Sequence, residues 1–274
     1  MRLRSLLFVP GDRPDRMAKA LGSGADALIL DLEDAVAPAK KAEARAAVAE
    51  FLRRPDRPVP LVVRINPLAG GLTESDLAAV LPARPDAIML PKAEGAASIR
   101  ALAAQTDIPI LPIATETPAA LFALGSYAEV KDNLIGITWG AEDLPAAIGA
   151  TAAREADGRY TAPIETVRSL ALFAAHAAGV PAIETVYPAF RDLDGLAAYA
   201  ARGRRDGFSG MMAIHPDQVA VINAAFTPSE AEIAAARAIV AAFAAEPGAG
   251  VLAVDGKMVD APHLAQARRL LGLT

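Results

Sequence analysis

The stretch Ala27-Leu28-Ile29-Leu30-Asp31-Leu32-Glu33-Asp34 sets four apolar residues directly before an acidic cluster, with no alternation of polar and apolar positions in the apolar part. Such a run reads as a parallel strand covered on both faces, since a half-exposed antiparallel strand would alternate. An Ala-rich amphipathic stretch, Lys40–Arg53, follows. A second short run, Leu61–Ile65, then leads into Arg64-Ile65-Asn66-Pro67. Strand, loop and helix make a repeating unit.

Outward from this unit the same rhythm covers most of the chain. Strands are predicted at Ser5–Val9, Ala27–Leu30, Leu61–Ile65, Ala87–Leu90, Ile108–Ile113, Leu134–Thr138, Ala182–Thr185 and Gly210–Ile214. Helices are predicted at Arg13–Leu21, Lys40–Arg53, Glu74–Leu81, Ala96–Ala104, Pro118–Leu124, Ile164–Ala178, Leu193–Arg204 and Pro216–Ala224. Thr73 is placed to cap the helix beginning at Glu74, and Pro118, Pro163 and Pro216 suit first-turn positions. Eight such units in about 225 residues predict an α/β fold, a closed (β/α)8 or TIM barrel. An open doubly wound sheet is the competing arrangement, but Pro10-Gly11-Asp12 follows the first strand where a G-x-G-x-x-G turn would be needed. The expected organisation is a barrel domain over residues 1–226 and a C-terminal helical and hairpin extension over 227–274. That extension reads as a helix at Ser229–Ala245, two short apolar runs around Val251–Val259 and a last helix at His263–Leu271. The link from Asp143 to Pro163 is longer than usual and reads as a lid or specificity element.

Composition narrows the chemistry. Of 274 residues 53% are hydrophobic and 22% charged, with a net charge of −5, so a disordered polymer is excluded. No apolar run approaches the roughly 18 residues that cross a bilayer, and the segment after Met1-Arg-Leu-Arg4 is too brief for a secretory signal. Zero cysteines remove disulfides, thiolate nucleophiles and iron–sulfur clusters, which leaves oxygen and nitrogen chemistry and a cytoplasmic setting as the expectation. Few aromatics and an acidic balance argue against nucleic acid as a partner. A small anionic substrate is compatible.

Catalytic groups of such a barrel sit at the carboxyl ends of its strands. Six of the eight ends carry ionisable residues: Asp31, Glu33 and Asp34; Arg64; Lys92 and Glu94; Glu116; Glu142 and Asp143; and His215 with Asp217. Asp34 and Asp143 could also cap the helices after them. Carboxylates gathered at one mouth repel unless a cation neutralises them. With no Cys and only three His the expected ion is Mg2+, held by Glu116 and Asp143, with Glu33 and Asp34 holding its waters. Arg64 either grips a substrate carboxylate or developing enolate oxygen, or bridges Glu33 or Asp34 as a salt bridge. Gly140, Ala141 and Glu142 form a turn whose amides could approach a ligand closely. Arg13, Arg16 and Lys19 either meet phosphates at this rim or face solvent. His215 reads as a satisfied strand-end histidine, and Trp139 as barrel packing.

Several of these motifs form a recognisable set. Arg4-Ser-Leu-Leu-Phe-Val-Pro-Gly11, Leu30-Asp-Leu-Glu-Asp-Ala-Val36, Val63-Arg-Ile-Asn66, Leu90-Pro-Lys92, Glu116-Thr117, Trp139-Gly-Ala-Glu-Asp-Leu144, Ala213-Ile-His-Pro216 and Lys257-Met-Val-Asp260 resemble the citrate lyase β-subunit-like family in the expected order. The resemblance implies a Mg2+-dependent, often trimeric barrel acting as a carbon–carbon lyase on a β-hydroxyacyl thioester such as citramalyl-CoA, malyl-CoA or a citryl thioester. It implies Mg2+ on Glu116 and Asp143, Arg64 on the substrate, and a C-terminal segment that covers a neighbouring subunit's site and supplies Asp260. By sequence alone Asp260 reads equally as a cap for the last helix. In the expected retro-Claisen step Arg64 stabilises the thioester enolate, and Asp260 or a water held by Glu33 delivers the proton. A metal-dependent aldolase of free hydroxy acids, and a subunit active only inside a larger lyase complex, are the competing readings. The loop Val186–Asp194 is where substrate identity is least legible.

Overall fold

The computed structural model describes residues 2–273 and divides into two compact units, the first ending at Phe226 and the second beginning at Thr227. The first unit contains strands β1 Ser5–Pro10, β2 Ala27–Asp31, β3 Leu61–Arg64, β4 Ala87–Leu90, β5 Ile110–Pro112, β6 Ile137–Thr138, β7 Ala182–Glu184 and β8 Gly210–Ala213. All neighbours are parallel, in the order β5-β4-β3-β2-β1-β8-β7-β6. Two isolated parallel bridges, Ile110 to Leu134 and Ile113 to Thr138, join the ends of that order. The barrel expected from the sequence therefore forms. At this seam three steps along β5 face four along the β6 segment, a bulge-like slip. It shortens the two strands relative to the apolar runs that encode them.

Helices cover the barrel: α1 Pro14–Ala20, α2 Lys41–Leu52, α3 Thr73–Val80, α4 Gly95–Ala103, α5 Pro118–Ala123, α6 Asp143–Ala147, α7 Ala162–Ala178, α8 Leu193–Asp206 and α9 Pro216–Ala225. Strand parity sorts the core into two layers. Leu6, Ala27, Ile29, Val62, Ala87, Met89, Leu111 and Ile183 fill the barrel interior, while Leu7, Leu28, Leu30, Leu61, Val63, Ile88 and Leu90 pack outward under the helices. Parity also decides which strand-end residues face the axis. Asp31 continues the Ala27 and Ile29 row, and Arg64 continues that of Val62.

Two local expectations fail. Thr73 is the first residue of α3 rather than its cap, because its hydroxyl is used on the carbonyls of Asn66 and Pro67. The link after Asp143 is not plain loop: it opens with α6 and carries an antiparallel bridge between Arg154 and Tyr160, with the Arg154 guanidinium 4.0 Å from the Tyr160 ring centre.

The second unit contains α10 Glu230–Ala245, an antiparallel hairpin of β9 Val251–Val254 and β10 Lys257–Asp260, and α11 Ala261–Leu270. Ser229 and Glu232 form a reciprocal capping box at the start of α10. The hairpin turns through Asp255-Gly256, both at positive φ (49° and 73°), the pattern of a two-residue primed turn. Among the described residues no helix is long and apolar enough to cross a membrane.

Candidate active site

Adjacent register of β2 and β3 places Asp31 beside Arg64. Arg64 Nε and Nη2 donate to the two oxygens of Asp31 at 2.7 and 2.6 Å, a bidentate pair in a buried setting. The Asp31 carboxylate also accepts from the amides of Glu33 and Ala35. Arg64 Nη1 lies 2.8 Å from Glu33 Oε2 and 3.7 Å from Asp34 Oδ2, and the guanidinium sits 4.8 Å from the Phe8 ring centre. Burial opposes the charge on Arg64, but Asp31, Glu33 and Asp34 outweigh it and hold the guanidinium charged. The salt-bridge reading of Arg64 thus holds for Glu33 and, at longer range, for Asp34, while its main partner is Asp31. Strand parity was the signal for it.

Lys92 ties the other carboxylates together. Its ammonium donates to Glu33 Oε1 at 2.7 Å and lies 3.6 Å from Asp143 Oδ1, while its backbone N–H donates to Glu116 Oε2 at 2.5 Å. Burial disfavours the Lys92 charge, but Glu33 and the neighbouring carboxylates more than compensate and raise its pKa above the usual lysine range. Glu116 is nearly enclosed. Burial, with help from the Asp143 and Glu33 charges, pushes its pKa up to about 8 against the pull of Lys92. Burial also lifts the Glu33 carboxyl, against Arg64 and Lys92. Glu33 Oε2 is buried and, although close to Arg64, receives no aligned hydrogen bond.

Counted together, two cations, Arg64 and Lys92, face five carboxylates: Asp31, Glu33, Asp34, Glu116 and Asp143. The mouth therefore carries surplus negative charge in a partly desolvated place, and a hard cation or an acidic proton relieves it. Among the described residues no set of three or more His, Asp or Glu side chains is arranged to hold a metal. An ion here would have two protein carboxylates, Glu116 and Asp143, and take its other oxygens from water and ligand, the habit of Mg2+.

The other candidate residues divide between expectations that hold and ones that need correction. Gly140 does not offer its amide to a ligand: its N–H donates to Thr115 Oγ1, which in turn donates to the Gly140 carbonyl, both at 3.0 Å. Its value is the missing side chain, because a Cβ there would lie 2.8 Å from Glu116 Cγ. Ala141 is buried, and Glu142 stands exposed at the N-cap of α6 without a capping bond. Arg13 opens α1 and pairs with Asp15 at 3.3 Å. Lys19 belongs to the last turn of α1, where it is exposed. Asp34 is exposed and caps nothing, and Asp143 lies inside α6 rather than capping it. In the second unit Asp260 is the N-cap residue of α11, as the cap reading has it, and its Oδ1 lies 2.5 Å from His263 Nδ1, a hydrogen bond that lowers its pKa. His215 opens α9, accepts from the Asp217 amide and stacks on Phe190 with ring centres 5.0 Å apart.

Trp139 does more than pack. Its indole N–H donates to Glu184 at 2.6 Å, and Glu184 also pairs with Arg168 and accepts from Tyr199. This fixes the start of the segment Trp139–Asp143 outside the barrel wall.

A family model described as HpcH/HpaI aldolase/citrate lyase matches residues 4–216. A citrate lyase subunit beta-like protein of Mycobacterium tuberculosis is 40% identical over 267 residues, covering 97% of this chain and 93% of the relative. A (3S)-malyl-CoA thioesterase of Cereibacter sphaeroides is 38% identical over 275 residues, covering 98% and 93%. The crystal structure of CitE from Mycobacterium tuberculosis in complex with magnesium, acetoacetate and coenzyme A superposes with a TM-score of 0.86 at 38% identity, covering 99% of this chain and 98% of that one. Fold, strand-end residues and similarity along nearly the full length agree: this chain belongs to the HpcH/HpaI aldolase/citrate lyase family.

Proposed function

We propose that the chain is a Mg2+-dependent carbon–carbon lyase that cleaves, or in reverse condenses, a β-hydroxyacyl thioester of the citramalyl-CoA, malyl-CoA or citryl type into a keto acid and an acyl thioester. The observation that carries this reading is the charge surplus at the mouth, five carboxylates against two cations, set directly beside a fixed guanidinium. The donor set fits the ion: hard oxygens only, a Glu116 carboxyl that burial pushes toward its neutral form despite the nearby Lys92, and a buried Glu33 oxygen free to accept from a coordinated water. Glu116 and Asp143 would hold it, and when bound it would neutralise charge on the hydroxyl and carboxylate oxygens of the hydroxy-acid half.

The chain's own groups do the rest. Arg64 has five N–H donors, of which Nε and one on Nη2 are spent on Asp31 and one on Nη1 faces Glu33, so two remain for a substrate oxygen on a rigid mount. Those two would stabilise the thioester enolate as charge moves onto its oxygen. Water held by Glu33 would return the proton to carbon in cleavage. Asp260, kept ionised by His263, suits the reverse direction as the base that takes that proton, supplied from another copy of the chain in a homo-oligomer, a trimer by resemblance. A cytoplasmic location belongs to the same proposal.

A second reading has a specific support, the 38% identity to a thioesterase: the same site would then direct water onto the thioester carbonyl. Incubating the purified chain with malyl-CoA, citramalyl-CoA and citryl thioesters, with and without Mg2+, separates the two. Keto acid released only with Mg2+ supports the lyase, free hydroxy acid and coenzyme A support the thioesterase, and no turnover of any thioester overturns both.

A further inference from the structure

Lys92 adopts a backbone conformation that lysine does not favour. Its φ is +51°, in the left-handed region where a Cβ crowds the following carbonyl and where glycine or asparagine usually stands. Arg84 and Asp255, the other described non-glycine residues with positive φ, close a short helix and a hairpin turn. Lys92 instead follows β4 at the barrel mouth. The conformation has a local use, since it aims the Lys92 amide at Glu116. Glycine would make that hydrogen bond without strain, so the backbone alone does not account for a lysine here. The side chain supplies the second half of the arrangement. It reaches across to Glu33 at 2.7 Å and stops 3.6 Å from Asp143.

One residue thus touches, by amide or ammonium, both carboxylates expected to take the metal and the carboxylate expected to hold its water. We propose that Lys92 is a built-in counter-cation: it keeps Glu116, Asp143 and Glu33 gathered in the metal-free chain, and a divalent ion must bind in competition with its charge. The inference rests on the metal reading given above and deepens it. Two consequences follow from electrostatics. The ammonium holds the acidic cluster together, so the site is preformed instead of springing apart through like-charge repulsion. The same charge, a few ångströms from the ion's expected place, weakens the ion's attraction, which sets affinity by a balance of charges and not by the two ligands alone. A bound ion gathers the same carboxylates by its own charge, so on loss of the ammonium the relief of competition outweighs the lost gathering, whereas a lysine that only gathered them would on its loss weaken the metal.

The test is direct binding of Mg2+ by calorimetry and of Mn2+ by electron paramagnetic resonance to the full chain, without substrate. Lys92→Met should tighten both ions by roughly tenfold, a figure reduced from the dry-interior limit because the side chain is about one-third exposed. Lys92→Arg, which keeps the charge, should stay within about twofold of the parent. Lys92→Gln is read beside Lys92→Met so that a folding failure in one does not decide the matter. Unchanged or weaker binding in the neutral variants overturns the proposal, as does loss of the fold in both, which would mark the ammonium as structural. If the parent chain itself binds neither ion, or binds it undiminished after Glu116→Gln, the metal reading fails instead.

Discussion

The barrel unit holds two ionic clusters, each anchored by buried groups, and their charge sums differ. Behind β7, Arg168 pairs with Glu184 and Asp206, Arg202 pairs with Glu165 and approaches Asp206, and Arg205 contacts Asp206: three guanidinium groups against three carboxylates. Burial opposes charge on Asp206, but its arginines prevail and lower its pKa. At the mouth the count is two against five, and Glu116 is raised to about 8. A balanced cluster is already at its energetic destination. An unbalanced one stores repulsion that a ligand relieves, and surplus charge, more than burial, separates framework from site.

The sharpest way to break this comparison is at Arg168. Arg168→Ala leaves Glu184 buried without its partner and should cost roughly 3–5 kcal/mol of stability, read by denaturant unfolding, while turnover per folded molecule stays within about threefold. Asp143→Asn should do the reverse. It removes one of the two expected metal ligands, so thioester cleavage should fall on the order of a thousandfold, about 4 kcal/mol, with the melting temperature of the metal-free chain unchanged or higher. Arg64→Ala is expected next, with turnover lowered about a hundredfold or more and metal affinity moved far less. An unchanged cleavage rate would remove Arg64 from the chemistry.

The smallest effect concerns pH. The ordinary carboxyl value for Glu116 is 4.5 and its folded value is raised to about 8, so the metal-free folded chain holds an extra proton between them. Stability of that chain should therefore fall as pH rises through this window, and Glu116→Gln should abolish the fall. Melting curves without metal at about pH 5 and pH 9 should show the variant gaining a few degrees on the parent only at the higher value. A constant gap across pH would mean that Glu116 is not held protonated.

Much of this was legible in the sequence. Short doubly apolar runs encoded the parallel strands, and the ionisable residues after them encoded the mouth, because both signals are local. What escaped needed register. Asp31 stood in plain view before Glu33, but its pairing with Arg64 follows only once β2 and β3 are aligned and their inward rows counted. The part of Gly140 escaped because its significance lies in a contact with Glu116 from the neighbouring strand segment. The Glu184 hub joins residues from three separate segments, and nothing in their spacing announces it.

The slipped seam between β5 and β6 bears on the chemistry in one further respect. Seven neighbouring strand pairs are joined by ladders, but this pair is joined by two single bridges. Glu116 leaves the ring on one side of that clasp and Gly140 on the other. The spacing of Glu116 and Asp143, the carboxylates proposed to take the metal, is therefore set where the cylinder is least tightly laced, so an occupant held by both would also fasten the ring.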